Sequence, residues 1–263
     1  MSSAQDPASR VLALVLLLAC VTGGAAGAID ERVVIESDGW QLAGEWHVPA
    51  SEEAPMPTAL LLHRAAGSRE EYAGLAAALE SRGIASLRLD LRAHGESDNL
   101  GRFEEPYAEN RPLLEGTHRD VNAALSWMKA RPGVTGERIA VVAASYSGEA
   151  VGEALRAGGD RAAAYVLLSP GSFSEESIAA VDPSGACWLF VRTSEEGEVS
   201  LPFIDAVFDA LATKSRSAEV RVVPGTGHAT RIFDEHPFMI GEVADWLAEC
   251  LARVDVVRPP ARE

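Results

Sequence analysis

Ser145 has the surroundings of a nucleophilic serine. It lies in residues 143–148 (Ala-Ala-Ser-Tyr-Ser-Gly), where an apolar segment stops and a helical pattern begins. In a nucleophile elbow the serine occupies the tip of a strained strand-to-helix turn, so the residues two before and two after it are small and usually glycine. Ala143 and Ser147 hold those positions; both are small, but neither has the backbone freedom of glycine. The segment alone leaves two alternatives open, a nucleophile or a serine that caps an ordinary helix.

Three further polar segments each follow a predicted strand. Counted along the chain, residues 63–68 (His-Arg-Ala-Ala-Gly-Ser) come after the third strand, and residues 90–98 (Asp-Leu-Arg-Ala-His-Gly-Glu-Ser-Asp) come after the fourth. Residues 224–228 (Pro-Gly-Thr-Gly-His) come after the last strand. In an open sheet of parallel strands, a functional site lies at the carboxyl ends of the strands. These segments are therefore expected to meet Ser145 at one edge of the sheet.

The elements that must position these segments alternate along the chain. Buried or alternating patterns predict strands at residues 32–36, 41–48, 58–63, 84–90, 138–144, 164–169, 187–192 and 219–223. Helical spacing predicts helices from about residue 72 to 83, from the cap Thr117 onward, at 149–157, at about 202–213, and over a closing segment with Val243, Trp246, Leu247 and Cys250 on its inward face. Residues 91–116 are expected to form a loop. This alternation predicts a mostly parallel eight-stranded sheet with helices on both faces and right-handed crossovers.

The order of these motifs resembles that of the α/β-hydrolase fold family, particularly its dienelactone-hydrolase-like and related esterase branches. That family typically has H-G-x-x-G-S after the third strand, D-x-R-G-x-G-x-S after the fourth, G-x-S-x-G after the fifth and G-x-H after the eighth. The resemblance spans roughly residues 30–252, and the order of the motifs is more specific than any one of them. It implies an α/β-hydrolase fold with a nucleophile, an acid and a histidine in that order along the chain.

The resemblance also implies roles for individual residues. Ser145 matches the nucleophile and His228 the general base, which takes the serine proton during attack and returns it to the leaving group. The acid usually follows the seventh strand in a G-x-x-D pattern, whereas this chain has Thr-Ser-Glu-Glu at residues 193–196. Counting positions favours Glu196; Glu195 is the alternative acid, and Glu198 or a residue elsewhere is a further alternative.

Two backbone N–H groups are implied as an oxyanion hole. One belongs to Tyr146, directly after the nucleophile, and matching the loop after the third strand assigns the other to Ala65. Arg64 replaces what is usually a glycine. It is expected either to brace this loop through a carboxylate or to bind an anionic group of the substrate. Structural roles in holding the loops are expected for His63, Asp90, Arg92 and His94.

These expectations describe an exported serine hydrolase, above all a carboxylic-ester hydrolase that acts through an acyl-enzyme on Ser145. A peptidase or acyltransferase of the same fold is one alternative, and a non-catalytic binding protein of this fold is another, because the elbow lacks its glycines. The formal net charge of −16 argues against nucleic acid as a partner. The expected partner is a small ester-like molecule. No cofactor and no metal are expected, since the sequence has neither a C-x-x-C motif nor a histidine cluster.

Residues 1–28 have the pattern of an export signal. Arg10 precedes an apolar run at residues 11–21, and Ala-Gly-Ala at residues 26–28 offers a cleavage site, so the mature chain is expected to begin near Ile29. Alternatively, residues 17–20 (Leu-Leu-Ala-Cys) resemble a lipobox in which Cys20 carries a lipid, and a retained membrane anchor is the third alternative. Residues 29–263 are expected to form one α/β-hydrolase domain with a short tail from Pro259.

Two cysteines remain beyond the N-terminal segment. Cys187 lies on a predicted strand and Cys250 on the closing helix. An oxidising compartment would permit a disulfide between them. Burial is the usual state of cysteine, however, so two buried free thiols are the expectation.

Overall fold

An eight-stranded sheet forms the centre of the computed structural model, which describes residues 28–50, 55–171, 173–180, 185–197, 201–214 and 218–253. The strands are β1 (Ile29–Ser37), β2 (Trp40–Val48), β3 (Met56–Leu62), β4 (Ala85–Leu89), β5 (Val134–Ala144), β6 (Ala164–Leu168), β7 (Cys187–Thr193) and β8 (Ala218–Val223). Their order across the sheet is β1-β2-β4-β3-β5-β6-β7-β8. β2 pairs with β1 and with β4 in antiparallel register, and the remaining pairs are parallel. The mostly parallel sheet predicted from the sequence is confirmed.

Helices connect the strands and cover both faces of the sheet. They are α1 (Ala73–Glu80), α2 (Tyr107–Leu114), α3 (Thr117–Lys129), α4 (Tyr146–Arg156), α5 (Glu175–Ala180), α6 (Leu201–Lys214), α7 (Ile232–Glu235) and α8 (Phe238–Arg253). Short 3-10 helices at Arg69–Tyr72 and Ala229–Arg231 precede α1 and α7. Among the described helices, none combines the length and the apolar character that crossing a membrane requires.

Alternate side chains of the central strands supply two separate cores. On β3, Leu60 and Leu62 belong to a core shared with α3, α4 and α6, whereas Ala59 and Leu61 belong to a core shared with α1 and α8. Successive residues of a strand point to opposite faces, so a continuous apolar strand is buried on both sides. Each fully buried leucine contributes roughly 2 kcal/mol relative to an exposed one. These two cores fix the strand ends from which the site loops start.

Helix positions differ from the sequence prediction at the short helix α7, which is not predicted, and in three further places. Residues 91–116, predicted to be a loop, contain α2; its buried residue is Leu114, so it lacks the apolar repeat that indicates a helix. The short helix α5 lies between β6 and β7, where the sequence predicts no helix. The cap of α3 is Gly116, whose φ of 85° is left-handed, rather than Thr117. Thr117 instead donates its hydroxyl hydrogen to the Leu114 carbonyl oxygen at 2.6 Å.

Cys187 and Cys250 form a disulfide, so the expectation of two free thiols is wrong. The S–S distance is 2.06 Å and the Cα atoms lie 6.5 Å apart. Cys187 begins β7, and Cys250 lies in the last turns of α8, which covers that face of the sheet. The two cysteines are 63 residues apart in sequence, so their contact follows from the placement of α8 and has no local signal.

Several predictions concern residues outside the described ranges. The export signal, the lipobox with Cys20 and the tail from Pro259 fall there, as does Glu198, the further alternative acid.

Candidate active site

Ser145 occupies the turn between β5 and α4 with a strained backbone. Its φ of 54° and ψ of −123° lie outside the regions that residues with a Cβ usually adopt. Its own N–H donates to the Leu168 carbonyl oxygen at 3.0 Å, and the N–H groups of Gly148 and Gly171 both donate to the Ser145 carbonyl oxygen at 2.9 Å. Such strain persists where surrounding bonds hold it, which is typical of functional positions. The turn therefore has the geometry of a nucleophile elbow.

Ser147 replaces the usual second glycine of the elbow by bonding inward. Its side chain is fully buried, and its hydroxyl accepts from the Ala144 N–H at 2.7 Å and lies 3.0 Å from the Leu62 carbonyl oxygen. These contacts attach the elbow to the end of β3. Glycine is needed one residue later, because a Cβ at Gly148 would lie 2.9 Å from the Cβ of Pro170.

His228 brings its imidazole ring to Ser145. Nε2 lies 2.9 Å from Ser145 Oγ, and Nδ1 is hydrogen-bonded to Oε1 of Glu196. Because an ionised carboxylate can only accept, Nδ1 carries the hydrogen and Nε2 is left to accept from the serine hydroxyl. The side chain of His228 is 40% exposed and that of Glu196 is 2% exposed. The carboxylate of Glu196 is thus buried, whereas the ring of His228 reaches the surface.

Glu196, rather than Glu195, faces the histidine. Glu195 is exposed, and its backbone N–H donates to the Gly225 carbonyl oxygen at 2.9 Å. The second carboxylate oxygen of Glu196 accepts from Ser169 Oγ at 2.7 Å, and this hydroxyl in turn accepts from the Ala229 N–H at 3.1 Å. A buried carboxylate needs such partners to offset its lost hydration. Both oxygens of Glu196 are therefore held in place.

Sequence reasoning misses Ser169. It follows β6, which lies between β5 and β7 in the sheet, and it has a left-handed φ of 44°. Its place at the carboxyl end of a central strand was an available signal, because that edge of the sheet carries the site.

The backbone N–H groups of Tyr146 and Ala65 have no acceptor in the described ranges. Tyr146 is the first residue of α4, so its N–H has no acceptor within the helix. β3 pairs with β5, so the loop that carries Ala65 starts beside the elbow. In that loop the Ala66 N–H donates to His94 Nε2 at 3.2 Å, whereas no residue in the described ranges accepts from the Ala65 N–H.

Arg64 braces the loop after β3. Nη2 pairs with Glu71 Oε1 at 3.0 Å, and Nη1 donates to the Ala65 carbonyl oxygen at 3.0 Å. Of the two roles expected for Arg64, the structure has the bracing one. The other, binding an anionic group of the substrate, stays a prediction; Nε of Arg64 has no hydrogen-bond partner in the described ranges.

Two neutral histidines support the same loop. His63 is fully buried; Nδ1 donates to the Arg64 carbonyl oxygen at 2.7 Å, and Nε2 accepts from the Leu91 N–H at 3.0 Å. Burial, and the nearby His94, lower the pKa of His63 to about 3. Burial also lowers the pKa of His94, whose Nδ1 donates to the Arg92 carbonyl oxygen at 2.9 Å. Each ring acts as a fixed donor and acceptor between the two loops.

Asp90 and Arg92 hold the loop after β4. Asp90 accepts from the backbone N–H groups of Arg69 at 2.7 Å and Glu96 at 3.0 Å, and it also pairs with the Arg69 guanidinium. Arg92 makes a two-pronged bond to Asp120 on α3, from Nε at 2.9 Å and from Nη2 at 2.6 Å. The structural roles expected for Asp90 and Arg92 are confirmed.

A cavity of about 150 Å³ lies between α2 and α4, the helix that follows Ser145. Tyr107, Tyr146, Glu149 and Glu153 are among its lining residues, and Ser145 is not. Burial raises the pKa of Glu149, and the charge of Glu153 adds to this. Ser145 is itself partly exposed.

The side chains of the site suit nucleophilic chemistry. The hydroxyl, ring and carboxylate can move a proton away from Ser145 Oγ while that oxygen attacks an electrophile. Within the described ranges, no group of three or more His, Cys, Asp or Glu side chains is arranged to hold a metal ion.

With this sheet order and these loops, the chain has the α/β-hydrolase fold, and similar solved structures share it. A CIB-like hydrolase from Thermoplasma acidophilum has a TM-score of 0.63 at 17% identity, over 85% of this chain and 100% of that one. An esterase from Pyrococcus furiosus has a TM-score of 0.65 at 16% identity, over 86% and 91% of the two chains. A dienelactone hydrolase from Anabaena variabilis has a TM-score of 0.63 at 18% identity, over 87% and 99%.

Sequence relatives are less informative. No protein-family profile matches the chain. Two curated proteins from strains of Mycobacterium tuberculosis, both described as uncharacterized, are 34% identical over 164 residues, which is 61% of this chain and 51% of each relative. The chain therefore spans about half the length of the curated relatives it matches.

Proposed function

We propose that the protein is a serine hydrolase that cleaves carboxylic esters through an acyl-enzyme on Ser145. The observation that carries the proposal is the continuous chain of contacts from Ser145 Oγ to His228 Nε2, at 2.9 Å, and from His228 Nδ1 to Glu196. The strained backbone of Ser145 supports it, because that turn exposes the hydroxyl at the carboxyl edge of the sheet.

In the first half of the reaction, His228 Nε2 accepts the hydroxyl proton while Ser145 Oγ bonds to the ester carbonyl carbon. The carbonyl oxygen becomes an oxyanion, which the backbone N–H groups of Tyr146 and Ala65 stabilise. When the tetrahedral intermediate collapses, the bond to the alcohol oxygen breaks and His228 returns its proton to that oxygen. The acyl group stays on Ser145.

In the second half, water takes the place of the alcohol. His228 accepts a proton from the water as its oxygen attacks the acyl carbon, and the bond to Ser145 Oγ breaks with return of the proton to the serine. Glu196 keeps the hydrogen on Nδ1 and stabilises the imidazolium that forms in each half. Ser169 serves this step indirectly, since its hydroxyl holds the second oxygen of Glu196 at 2.7 Å.

Esters are proposed rather than amides because similar solved structures of this fold are described as ester-cleaving enzymes or related hydrolases. Solved structures of this fold include an esterase from Pyrococcus furiosus and dienelactone hydrolase from Anabaena variabilis. Tyr107, on the helix α2 inside the loop after β4, lines the cavity beside the elbow, a suitable wall for a small acyl or alcohol group.

A substrate panel tests the proposal. p-Nitrophenyl esters of rising acyl length and aminoacyl p-nitroanilides are offered to the wild type, to Ser145→Ala and to the control Ser81→Ala, whose serine is at the end of α1. We expect ester turnover in the wild type and control and a loss of at least about 10³-fold in Ser145→Ala. Faster turnover of the anilides than of the esters would mean that the protein is a peptidase rather than an esterase. Ester turnover that survives in Ser145→Ala would overturn the proposal.

We also propose that the protein works outside the cytoplasm, after cleavage near Ile29. The Cys187–Cys250 disulfide supports this, because disulfides persist mainly in oxidising compartments. Expression of the full chain in a Gram-negative host, followed by N-terminal sequencing and intact mass, tests it. A new N-terminus near Ile29 is expected; a lipid-modified Cys20 would instead mean a lipid anchor, and an uncleaved cytoplasmic chain would contradict export.

A further inference from the structure

Glu71 contacts two loops of the site at once. Its Oε1 pairs with Arg64 Nη2 at 3.0 Å, and its Oε2 accepts from the Thr230 hydroxyl at 2.9 Å. Arg64 lies beside Ala65 in the loop after β3, and Thr230 lies two residues after His228 in the loop after β8. Residues 71 and 230 are 159 positions apart, so this one carboxylate bridges distant parts of the chain.

The surroundings of Glu71 are built for its carboxylate. Its side chain is 19% exposed, and it belongs to the 3-10 helix Arg69–Tyr72 that follows the loop after β3. A Cβ at Gly67 would lie 2.5 Å from Glu71 Oε2, so the glycine leaves room for the bridge. Burial raises the pKa of Glu71 although Arg64, Thr230 and the charge of Arg231 oppose the rise. The carboxylate thus occupies a place that is costly for a charge.

The bridge reaches both halves of the proposed machinery. The same guanidinium that pairs with Glu71 also donates to the Ala65 carbonyl oxygen at 3.0 Å, which fixes the peptide next to the Ala65 N–H. On the other side, the Thr230 side chain ties the start of the 3-10 helix Ala229–Arg231, for which His228 is the residue before the first turn. A displacement of Glu71 would therefore move an oxyanion donor and the general base relative to each other.

We propose that Glu71 is a positioning residue that fixes the oxyanion loop against the histidine loop, a role that rests on the proposed function of Ser145 and His228. In the described ranges, no hydrogen bond or ion pair joins Glu71 to Ser145 or His228. It acts through Arg64 on one side and through Thr230 on the other.

Glu71→Gln is the first test, because glutamine has nearly the same shape. Its amide oxygen can still accept from Thr230, but it loses the charge that pairs with Arg64. We expect kcat for a p-nitrophenyl ester to fall by about 10- to 100-fold with KM changed less than about twofold, since only the transition state uses the oxyanion donors. Affinity for an aryl trifluoromethyl ketone, which forms an oxyanion on the serine, is expected to weaken by the same factor.

Asp245→Asn is the matched control. Asp245 Oδ1 pairs with Arg82 Nε at 2.7 Å, which is another arginine–carboxylate pair between α8 and the end of α1. It is expected to leave kcat and the ketone affinity unchanged. Arg64→Lys keeps a cation for Glu71 but lacks the second nitrogen that donates to the Ala65 carbonyl oxygen, so an activity between those of the wild type and Glu71→Gln is expected.

A double-mutant cycle tests whether Arg64 and Thr230 are coupled through Glu71. Arg64→Met and Thr230→Val each remove one side of the bridge, and their effects on kcat are expected to combine to less than the product of the two single effects. In a Glu71→Gln background the same pair should combine as independent changes.

The outcomes separate the two proposals. Active wild type with Glu71→Gln within twofold in kcat and ketone affinity overturns the positioning role alone. The positioning role is also overturned if Glu71→Gln lowers the melting temperature but weakens ketone affinity no more than it raises KM, because a purely structural residue behaves that way. A folded wild type that turns over no ester or anilide overturns the proposed function, and the positioning role with it.

Discussion

Acid should weaken this protein through His63, and the structure gives the size of the effect. The ring is fully buried, donates to the Arg64 carbonyl oxygen and accepts from the Leu91 N–H, so no place is left for a second ring proton. Its pKa is lowered from the ordinary value of 6.5 to about 3. Below pH 6.5 the unfolded chain therefore binds a proton that the folded chain does not. The stability that neutral His63 provides is full above that pH and is lost as the pH falls toward 3.

The magnitude follows from the shift, since one pKa unit corresponds to about 1.4 kcal/mol. Between about pH 7 and about pH 5, protonation of His63 in the unfolded chain alone should lower the free energy of unfolding by about 2 kcal/mol. His63→Gln keeps one donor and one acceptor but cannot titrate. At neutral pH the variant should be less stable than the wild type by roughly 1–2 kcal/mol, because its bonds are less well aligned.

Urea unfolding followed by tryptophan fluorescence, at several pH values from 7 to 5, measures the difference. The free energy of unfolding of the wild type should fall by about 2 kcal/mol relative to that of His63→Gln over that range, so that the difference between them shrinks to about zero or reverses. His94, whose pKa is also lowered, is present in both proteins, so the comparison isolates His63. Two curves that stay parallel would refute the assignment of His63 as a neutral, doubly bonded ring.

Three further predictions concern the acid, the disulfide and one loop. Glu196→Gln should lower kcat by about 10²- to 10⁴-fold, whereas Glu195→Gln should change it less than about twofold, because Glu196 alone of the two faces His228; equal losses in steady-state kinetics would contradict this assignment. Replacing Cys187 and Cys250 together by alanine should lower the free energy of unfolding by about 4 kcal/mol in urea, since the bond closes a segment of 63 residues, and dithiothreitol should weaken only the wild type. Gly95→Ala should destabilise by about 3 kcal/mol in the same assay, because its φ is 53° and its Cβ would meet the Asp90 carboxylate. Gly158→Ala, at a φ of 75° with open space around it, is the control and should lose about 1 kcal/mol; equal losses would remove Asp90 from the explanation.

The sheet and the serine could be predicted from sequence because their signals are local. Apolar runs such as β5 and β6 indicate strands buried on both faces, and the small residues around Ser145 indicate a tight turn at a strand end. His228 could be predicted because it follows the last strand, as the histidine does in the family whose motif order the sequence resembles. The helix α2 could not be predicted in the same way, since its exposed residues have no apolar repeat.

The contacts that complete the site are long-range, and the sequence does not display them. Ser169 lies 27 residues before Glu196, and Glu71 lies 159 residues before Thr230, so neither pair has a spacing that predicts contact. Glu195 and Glu196 are adjacent, and only the path of the chain after β7 decides which of them turns inward. The same holds for the disulfide, whose second cysteine is carried into place by α8.

A fluorophosphonate probe, which reacts with activated serines, shows whether Ser145 is a nucleophile activated by His228. Folded wild type, Ser145→Ala and His228→Ala are treated with the probe, and the adduct is located by peptide mass spectrometry. We expect a single adduct on Ser145, none in Ser145→Ala, and a labelling rate lower by at least about 10²-fold in His228→Ala. A folded wild type that stays unlabelled, or an adduct on another residue, would show that Ser145 is not the activated nucleophile.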